Sequence, residues 1–563
     1  MRRFLRSIVA VCLYAPVAGV APLVAQRPSN NGPAGAAVGA PVGGDVERYI
    51  HALEITGRIA PTPWATRPFS AADLQELLDG PTSKDHPWRD AMRRSTGKRV
   101  ALGGTAFIGA NSGFPWGSND GPIWQGRGGN AALSLNAAVR WGRLSAVVAP
   151  IGFVAQNSSF PLMATSSDAS PYSESIFPTK LDMPQRFGDR AYHRIDGGES
   201  SISIRGLGMV TGVSTASLGW GPGESFPAVL GPNAGGFPHL FVGTTGRGRR
   251  VPRVGRINAH YVLGVLDQTP YSPVRGGEEF VGGLKSGTKR LAVGLTVSYM
   301  PAVLPTLELG GTRFYHSPYR KPSQRWDAWS KPFEGIFKKG LAGGPSPNGD
   351  PNGDFDNQLA SAFVRWSFPG RGAEVSFEYF REDHSWDSRD LAAEPENNAA
   401  VIASFRAATH RSESELALLT LEYFDGDIPP ISQAREQGGL YIHGTILQGH
   451  TQRGQLLASP VGAGAMAGQS VTWERFTRRG STRINVRRWR SRTRALVNPS
   501  GLYFNVERAI PNFHDWTIDG SYGLTRFRGT SAVSLEAGVA YAGRWQLADS
   551  RTNLYVRSAL SLF

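Results

Sequence analysis

The sequence predicts an all-β fold: a large transmembrane antiparallel β-barrel preceded by a small helical unit. Three observations support this prediction. The chain starts like an exported protein, long stretches after residue 100 alternate apolar and polar residues, and no later stretch is apolar and long enough for a membrane helix. An exported membrane protein without such helices has to close its strands into a barrel, because every backbone polar group needs a partner in lipid.

The start of the chain predicts a cleaved signal peptide. A basic beginning, MRRFLR, is followed by the apolar residues 8–24, which Pro16 and Pro22 interrupt. Small and apolar residues come just before Gln26, as a signal peptidase requires, so we expect residues 1–25 to be removed. A retained membrane anchor is the alternative, which the two prolines and the short apolar core disfavour.

The amino-acid composition limits the kinds of chemical site and binding partner that we expect. The only cysteine, Cys12, lies in the predicted signal, so the exported protein would have no disulfide, thiolate metal ligand or cysteine nucleophile. The formal net charge of +15 falls to about +12 without the three signal arginines. A basic balance of this size predicts an acidic partner, such as an anionic glycan or lipopolysaccharide, and export argues against nucleic acid.

Two segments precede the predicted strands. Residues 26–44 are rich in Pro, Gly, Ala and Asn, which predicts a flexible leader. Residues 45–98 predict a small periplasmic helical unit, in which Ser70 is a candidate N-cap three residues before Asp73. The composition then changes, and we expect residues 99–563 to form a barrel in the bacterial outer membrane.

Strand-like segments indicate which side chains face lipid. In NAALSLNAAVRW (130–141), RLAVGLTVSYM (290–300) and AVSLEAGVAYAGRW (532–545), large apolar residues alternate with small or polar ones. The large residues predict the lipid face, and the aromatic residue that ends several segments suits the headgroup region. At roughly 25 residues for each strand with its connection, the barrel would have about 16 to 20 strands. A soluble antiparallel sheet also alternates, so periodicity alone leaves that alternative open.

No motif predicts a catalytic residue, a metal site or a cofactor. A calcium loop at 350–356 would need glycine where Phe355 stands, so a turn is the simpler interpretation. The segment EVSFEYFREDH (374–384) places Glu374 and Glu378 on one strand face, with further acids just beyond. Paired carboxylates can hydrolyse glycosides, but polar residues are the default lining of a barrel.

The segment RRWRSRTR (487–494) is the strongest charge feature. As an extended strand it would place Trp489 on one face and four arginines on the other: Arg488, Arg490, Arg492 and Arg494. Guanidinium groups in such a ladder can grip sulfate, phosphate or uronate groups while Trp489 stacks on a sugar. Ordinary lumen lining or a solvated strand extension is the alternative. Apolar residues precede the arginines in the same phase, so either a bulge intervenes or the strand has left the membrane.

A family resemblance begins at Trp220. The elements WGPG (220–223) and GPNAGGFP (231–238) resemble those of the Wzi-type capsule-assembly outer-membrane proteins. Further stretches look like the same family: RPFSAADL (67–74), DNQLASAFVRWSFP (356–369), FEYFREDHSW (377–386) and YIHGTILQGHTQRGQLLASPVGAGA (441–465).

The resemblance implies an outer-membrane barrel of about 18 strands with a periplasmic helical unit. Such a protein is a non-catalytic, lectin-like anchor, so we expect capsular polysaccharide or exopolysaccharide as its partner, beside lipopolysaccharide and outer-membrane lipid. Trp220, Trp489 and the arginine ladder are the candidate ligand residues, and five residues are expected to be structural: Gly221, Pro222, Gly223, Asn233 and Pro238. A porin-like transport channel for small solutes shares nearly every feature and stays open as the alternative.

Two further expectations concern assembly. The terminal Phe563 is the kind of aromatic residue that barrels commonly present to the barrel assembly machinery, although it is out of phase with the leucines before it. We also expect the protein to be a monomer.

Overall fold

The computed structural model describes residues 32–563 with gaps. The gaps are residues 81–82, 164, 166–168, 275–287, 320–323, 334–355, 383–387, 428–438, 445, 492–494, 498–502, 506–514 and 544–548. The predicted signal peptide and most of the tested calcium loop therefore lie outside the described residues.

Antiparallel strands dominate the described part of the chain. Their bounds are β1 (Thr66–Arg67), β2 (Val100–Asn111), β3 (Gly128–Trp141), β4 (Leu144–Val148), β5 (Ile151–Ala155), β6 (Tyr192–Asp196), β7 (Ser201–Gly206), β8 (Met209–Ser214), β9 (Gly219–Trp220), β10 (His239–Thr244), β11 (Arg249–Val251), β12 (Gly255–Leu266), β13 (Arg290–Pro301), β14 (Leu307–Pro318), β15 (Asn357–Phe368), β16 (Ala373–Glu382), β17 (Ala399–Ser412), β18 (Glu415–Gly426), β19 (Thr451–Gln452), β20 (Gln455–Leu456), β21 (Met466–Thr477), β22 (Gly480–Ser491), β23 (Ala495–Val497), β24 (Tyr503–Asn505), β25 (Asp515–Arg528), β26 (Ser531–Gly543) and β27 (Arg551–Leu562).

These strands close into one barrel, which confirms the predicted fold class. All take part except the short two-stranded pairs β1 with β9, β19 with β20, and β23 with β24. Three barrel strands are each interrupted and consist of two short strands. These are β4 with β5, which pair with successive parts of β3, β6 with β7, and β10 with β11, which pair with successive parts of β12. The barrel therefore has 18 strands.

In the described ranges, helical segments are few and short. They are a 3-10 helix (Pro33–Ala37), α1 (Asp45–Ile55), α2 (Ala71–Leu78), α3 (Arg89–Thr96), α4 (Gln324–Ala328), a second 3-10 helix (Lys331–Phe333) and α5 (Ser388–Ala393). Of the helices in the described ranges, none combines the length and the apolar composition that a bilayer crossing requires. We refer to α1, α2 and α3 with their connections as the helical unit.

The alternation predicted from the sequence is confirmed in the barrel wall. In β3, Leu135 is 60% exposed and Trp141 is 81% exposed, whereas Asn136 and Ala138 between them are buried. The same outward face continues in β26, where Tyr541 is exposed near the strand end. Large residues thus face outward, and small or polar residues face the lumen.

One patch of the outer wall departs from this pattern. Leu291 and Val293 of β13 point outward but are buried, because Ala328 of α4 packs on them. The segment 324–333 is held against the wall there, since Tyr261 donates a hydrogen bond from its hydroxyl to the carbonyl oxygen of Trp329 at 3.0 Å.

The two ends of the barrel differ in their connections. At one end they are short, as at 207–208 and 478–479, and there Trp88 of α3 donates from Nε1 to the carbonyl oxygen of Thr477 at 2.9 Å. At the other end they are long, as between β14 and β15. Bacterial barrels have short periplasmic turns and long extracellular loops, and on this rule we expect the helical unit on the periplasmic side.

The start of α2 is capped as predicted. The hydroxyl of Ser70 accepts from the backbone nitrogen of Asp73 at 3.2 Å, and the Asp73 carboxylate accepts from the nitrogen of Ser70 at 2.9 Å. This reciprocal pair satisfies two backbone donors that the helix leaves free.

The predicted flexible leader is wrong for residues 32–44, and residues 26–31 lie outside the described part. Ala36 and Ala40 are fully buried against the helical unit, and the nitrogen of Ala40 donates to the carbonyl oxygen of Phe69 at 2.8 Å. Glycines and prolines serve tight packing here, because Gly39 with φ +115° lies too close to Phe69 for a side chain.

Buried charges hold the helical unit in the barrel mouth. Arg365 of β15 lies 2.9 Å from Glu54 of α1, 3.0 Å from Glu308 and 2.6 Å from Glu374. The guanidinium group thereby ties the helix to two wall strands. Removing one member of such a buried set costs about 3–5 kcal/mol, so these contacts fix the position of the unit.

Apolar side chains fill the lumen beyond the helical unit. Trp220, Phe226 and Phe237 from the chain inside the barrel pack against Phe314 and Phe424 of the wall, and all five are buried. Between the helical unit and the inner faces of β3, β4, β7, β8 and β10 a cavity of about 520 Å³ remains.

Candidate functional site

The stretch that carries the family resemblance lies inside the barrel. Residues 215–238, which we call the inner loop, leave the wall after β8 and return at β10, and β9 within them pairs with β1. Trp220 is fully buried, with Nε1 3.3 Å from Nδ1 of His260 and its ring centroid 6.2 Å from that of Phe314. This burial corrects the expectation that Trp220 contacts a ligand, because no ring face is open to a sugar.

Glycines of the wall make room for the inner loop. A Cβ atom on Gly294 would lie 2.7 Å from the Trp220 ring, and one on Gly468 would lie 2.7 Å from the Phe226 ring. Gly221 has φ +80° and lies against a wall carboxylate. The fit between loop rings and wall glycines sets the position of the inner loop.

Buried arginines bind the carbonyl groups of the WGPG turn. Arg67 donates to the carbonyl oxygens of Gly221 at 2.8 Å and Gly223 at 3.2 Å. Arg406 donates to the carbonyl oxygen of Pro222 at 3.1 Å. These contacts give the turn a structural role, because its carbonyl groups have no partners in the barrel sheet.

Glu224 links the inner loop to both the helical unit and the wall. Its carboxylate lies 4.0 Å from Arg48 of α1 and 3.9 Å from Arg406 of β17. Burial alone would raise the pKa of Glu224, but these guanidinium groups hold that pKa below its ordinary value. The carboxylate therefore stays ionised and bridges the two arginines.

The far part of the inner loop reaches the extracellular end. Asn233 accepts from the nitrogen of Asn119 at 3.1 Å and donates to the carbonyl oxygen of Leu456 at 2.9 Å. The return to the wall is fixed by Pro238, whose carbonyl oxygen accepts from the nitrogen of Val265 at 3.0 Å. Asn233 thus joins three loops that are far apart in the sequence.

A small polar cleft with two tryptophans surrounds Asn233. This outer-mouth cleft is lined by Trp116, Ser118, Asp120, Trp124, Gln125, Asn233 and Gln455. Its volume of about 80 Å³ accommodates an edge or an exocyclic group of a sugar rather than a whole ring. Trp116 is buried, so Trp124 alone presents part of its ring beside the amide and carboxylate groups of the cleft.

The described part of the predicted arginine ladder lies on the outer wall. β22 pairs without interruption along 480–491 with both neighbours, so no bulge separates the apolar residues from the basic ones. Arg488 is exposed on the same face as Val486 and donates to Gln469 at 3.0 Å. Arg490, in the same phase, pairs with Asp427.

The strand therefore carries Arg488 and Arg490 outward, whereas Arg487 points into the lumen, where it pairs with Asp519 at 2.7 Å. Arg492 and Arg494 lie outside the described residues. Trp489 is on the opposite face, as predicted, and is 7% exposed, with its ring centroid 4.9 Å from that of Trp116. Arg487 stacks over Trp489 at 5.3 Å.

The carboxylates that suggested glycoside chemistry have structural partners. Glu374 is held by Arg365, and Glu382 accepts from Asn357 at 2.8 Å. Both are buried, as is Glu378 beneath the inner loop. Asp383 and His384 lie outside the described residues. Across the described ranges, no group of three His, Cys, Asp or Glu side chains is arranged to hold a metal ion.

The sequence analysis missed the residues of the outer-mouth cleft. Trp116, Trp124 and Gln455 lie on loops that only the folded barrel brings together. The segment WGSNDGPIWQG (116–126), with two tryptophans among turn-forming and amide residues, is the signal that could have identified it.

The closed barrel, its apolar outer face and its filled lumen define an outer-membrane β-barrel protein. Among solved structures, the chain is similar to Wzi, an outer-membrane protein involved in group 1 capsule assembly in Escherichia coli and described as a carbohydrate-binding β-barrel. The TM-score is 0.59 at 14% identity, over 93% of this chain and 99% of that one, which shows a shared fold.

Other outer-membrane barrels match less well. OpdL of Pseudomonas aeruginosa has a TM-score of 0.38 at 7% identity, covering 82% of this chain and 97% of that one. OprD of the same organism also has a TM-score of 0.38 at 7% identity, and the match covers 83% of this chain and 94% of that one. No protein-family model matches the chain, and no curated protein sequence does.

Proposed function

We propose that the protein binds capsular polysaccharide or exopolysaccharide and anchors it at the surface of the outer membrane, without catalysing a reaction. The observation that carries this proposal is the filled lumen. The helical unit and the packed inner loop occupy the space that a pore for small solutes would need. A rigid, plugged barrel is suited to holding a ligand at its outer face.

The outer mouth supplies groups suited to a polysaccharide. The outer-mouth cleft offers Trp124 with amide and carboxylate groups, and Arg488 and Arg490 project from the wall nearby. A repeating polymer can engage many weak sites together, so shallow contacts suffice. We infer that the outward arginines bind anionic lipopolysaccharide and outer-membrane lipid beside the glycan, because guanidinium groups bind phosphate oxygens in pairs.

The shared fold supports the same function. Wzi, which has the same barrel over nearly its whole length, is described as carbohydrate-binding. The helical unit at the periplasmic mouth is then a plug that also positions the inner loop.

Deletion of the gene tests the proposal in cells. We expect the deletion strain to release polysaccharide that the parent strain retains, measured as the ratio of cell-bound to released polymer. Equal ratios in the two strains would refute anchoring. Expression of the wild-type chain should restore retention.

A targeted substitution tests the outer mouth. Trp124→Ala should lower retention without lowering the amount of folded barrel. Trp326→Ala is the matched control, because that tryptophan is 78% exposed and does not line the cleft. Equal retention of polysaccharide by both variants would show that the binding site is not the outer-mouth cleft.

Conductance separates the anchor from the pore. Purified protein in planar bilayers should give no large steady current, because the described core blocks the lumen. A large steady current together with unchanged polysaccharide retention would establish the transport channel instead.

A further inference from the structure

The cavity of about 520 Å³ is separate from the outer-mouth cleft. We call it the serine cavity after its wall residues Ser145, Ser201, Ser203 and Ser214. Its exposed lining residues include Arg99, Gly142 and Arg143, which lie at the end of the barrel with short turns, and we take them as its rim. Its volume lies within the range of roughly 300–1,000 Å³ that small-molecule sites occupy.

The serine cavity exists because the inward side chains of this part of the wall are small. The strand register aligns one inward row, which consists of Ser145, Ser203, Gly212 and Phe241. A second row consists of Val147, Ser201, Ser214 and His239. The hydroxyl groups of Ser145, Ser201 and Ser203 have no hydrogen-bond partner within the part of the chain that the structure describes, so they are free to bind a ligand.

An aromatic ring lies between two histidines at the inner end. The ring centroid of Phe241 is 6.1 Å from that of His239 and 5.6 Å from that of His260, and all three side chains line the cavity. A pyranose has an apolar C–H face that packs on such a ring and hydroxyl groups at its edge that need polar partners.

The two histidines offer one acceptor and one donor. Nδ1 of His239 lies 2.7 Å from the carbonyl oxygen of Phe237, which can only accept, so neutral His239 keeps Nε2 as an acceptor. His239 is 4% exposed, and this Nε2 has no partner among the described residues. Nδ1 of His260 accepts from Nε1 of Trp220, which leaves Nε2 of neutral His260 as a donor. Together they match a sugar hydroxyl, which both donates and accepts.

The rim of the serine cavity is basic. It carries four arginines: Arg99, Arg140, Arg143 and Arg205. Arg205 is paired with Asp73 at 2.8 Å, and Arg140 donates to the carbonyl oxygen of Lys98. Arg99 and Arg143 are exposed, and neither has an acidic partner within the described ranges. Planar guanidinium groups bind carboxylate and phosphate oxygens in pairs, so the rim favours an oxyanion.

A carboxyl group also lines the serine cavity. Glu199 accepts from the nitrogen of Ser217 at 3.4 Å. The exposed arginines Arg99 and Arg143 lie at the rim, so the rim is where the cavity favours an anionic group.

We propose that the serine cavity binds a saccharide that carries an oxyanion, with a neutral ring on Phe241 and the carboxylate or phosphate at the arginine rim. The ligand enters from the periplasmic side. This site does not depend on the function proposed for the outer mouth, because the outer-mouth cleft and the serine cavity share no lining residue.

Titration of the full-length protein in detergent micelles tests the proposal. The probes are tetragalacturonate, maltotetraose as its neutral counterpart, and inorganic phosphate. We expect tetragalacturonate to bind at least tenfold more tightly than either of the other two. The double substitution Arg99→Gln and Arg143→Gln should weaken it about tenfold, whereas Arg371→Gln, an exposed arginine of another periplasmic turn, should leave it unchanged.

Blocking the space tests the location. Ser203→Phe should abolish binding by filling the serine cavity, and Phe241→Ala should weaken binding of tetragalacturonate while leaving phosphate unaffected. Because a bulky substitution can impair folding, Ser203→Cys gives a second measurement. Cys12 is the only native cysteine, so the wild-type chain supplies the labelling background, and tetragalacturonate should slow maleimide labelling of the new thiol.

Three outcomes would overturn the proposal. Equal affinity for maltotetraose would remove the oxyanion requirement. If phosphate competes fully with tetragalacturonate and tetragalacturonate binds no more tightly than phosphate, the rim is a simple phosphate site. Unchanged binding in a folded Ser203→Phe variant, or no protection of the Ser203→Cys thiol, would place the glycan at the outer mouth alone.

Discussion

Two sides of the same lumen differ in what their inward residues do. On the side formed by β14 to β17, long charged residues such as Arg365 and Glu374 reach the helical unit and are fully buried. On the side formed by β4, β7 and β8, Ser145 and Ser203 occupy equivalent inward positions and leave the serine cavity. Strand geometry is the same on both sides. The volume and charge of every second residue therefore decide whether the wall locks the plug or leaves space for a ligand.

The largest expected effect comes from removing a buried charge on the side formed by β14 to β17, which holds the helical unit. Arg365→Met leaves Glu54 and Glu308 buried without their cation and leaves Glu374 with Arg406, and we expect the attachment of the helical unit to weaken by about 3–5 kcal/mol. The unit should become sensitive to limited proteolysis while the barrel stays folded.

The matched control for that substitution is an ion pair on the outer wall. Arg475→Gln breaks the contact with Glu415, where the arginine is 47% exposed, and should leave the protease resistance of the helical unit unchanged, because solvent screens an exposed ion pair. Equal protease resistance of the Arg365→Met variant and the wild-type protein would show that the charges do not hold the plug.

The second largest expected effect is a loss of stability of the helical unit at low pH. Burial, which outweighs the attraction of Glu374, lowers the pKa of His51 to about 4, and burial together with Arg89 lowers that of His86 to about 3. The unfolded chain takes up these protons near pH 6.5 but the folded unit does not, so stability is complete above that pH and falls as the pH drops towards 4. Each histidine should contribute about 1.4 kcal/mol for each pH unit in this window.

Thermal unfolding of the helical unit between pH 7 and 4.5 measures this loss. The neighbours of His86 are Tyr49, Arg58, Arg89, Asp85 and His410. Glu54 acts in the opposite sense, because burial raises its pKa to about 7 and the folded state binds its proton first. His86→Gln isolates the histidine effect and should flatten the acid limb. An unchanged acid limb in that variant would contradict the assignment.

A smaller effect is expected where the inner loop meets the wall. Gly294→Ala forces a methyl group to within 2.7 Å of the Trp220 ring, and we expect a cost of about 1–3 kcal/mol in barrel stability. Gly520→Ala in β25 is the control, because a Cβ atom there meets nothing within 4 Å. Differential scanning calorimetry of both variants compares them, and equal melting temperatures would mean that the inner loop does not pack as described.

The smallest effect is expected at the cap of α2. Ser70→Ala removes the hydroxyl that accepts from the nitrogen of Asp73 and should destabilise the helical unit by about 1 kcal/mol, seen as faster hydrogen exchange in α2. Ser95→Ala in α3, which caps no helix, should change exchange by less. If both variants exchange alike, the cap does not contribute.

The fold was largely predictable, because local patterns encode it. Alternation over β3, β13 and β26 identified the outward residues correctly, and the capping box at Ser70 marked the start of α2. The buried position of Leu291 and Val293 was not predictable, since it depends on α4 folding back onto the wall. The packed structure of residues 32–44 was not predicted for the same reason. Their glycines and prolines predict a flexible segment, and only contacts with the surrounding helices fix its position.

The candidate sites were much less predictable. Trp220 was identified but its burial was not, because the glycines that accommodate its ring lie on a distant strand. The arginine ladder was placed on the correct strand, and only the uninterrupted pairing of β22 shows that Arg488 faces outward. The serine cavity had no sequence signal, since isolated serines at inward positions are common to many strands.

The sequence by itself determined the period-two strands and the helical unit, because each depends on residues close together in the chain, and it determined the basic charge through composition. Only the tertiary structure decided that the lumen is filled, that charges buried on one side secure the helical unit, and that small side chains on the other side leave a cavity. Those features arise from contacts between residues hundreds of positions apart, such as Glu54 with Arg365. Their geometry is set when the barrel closes, and no local pattern records it.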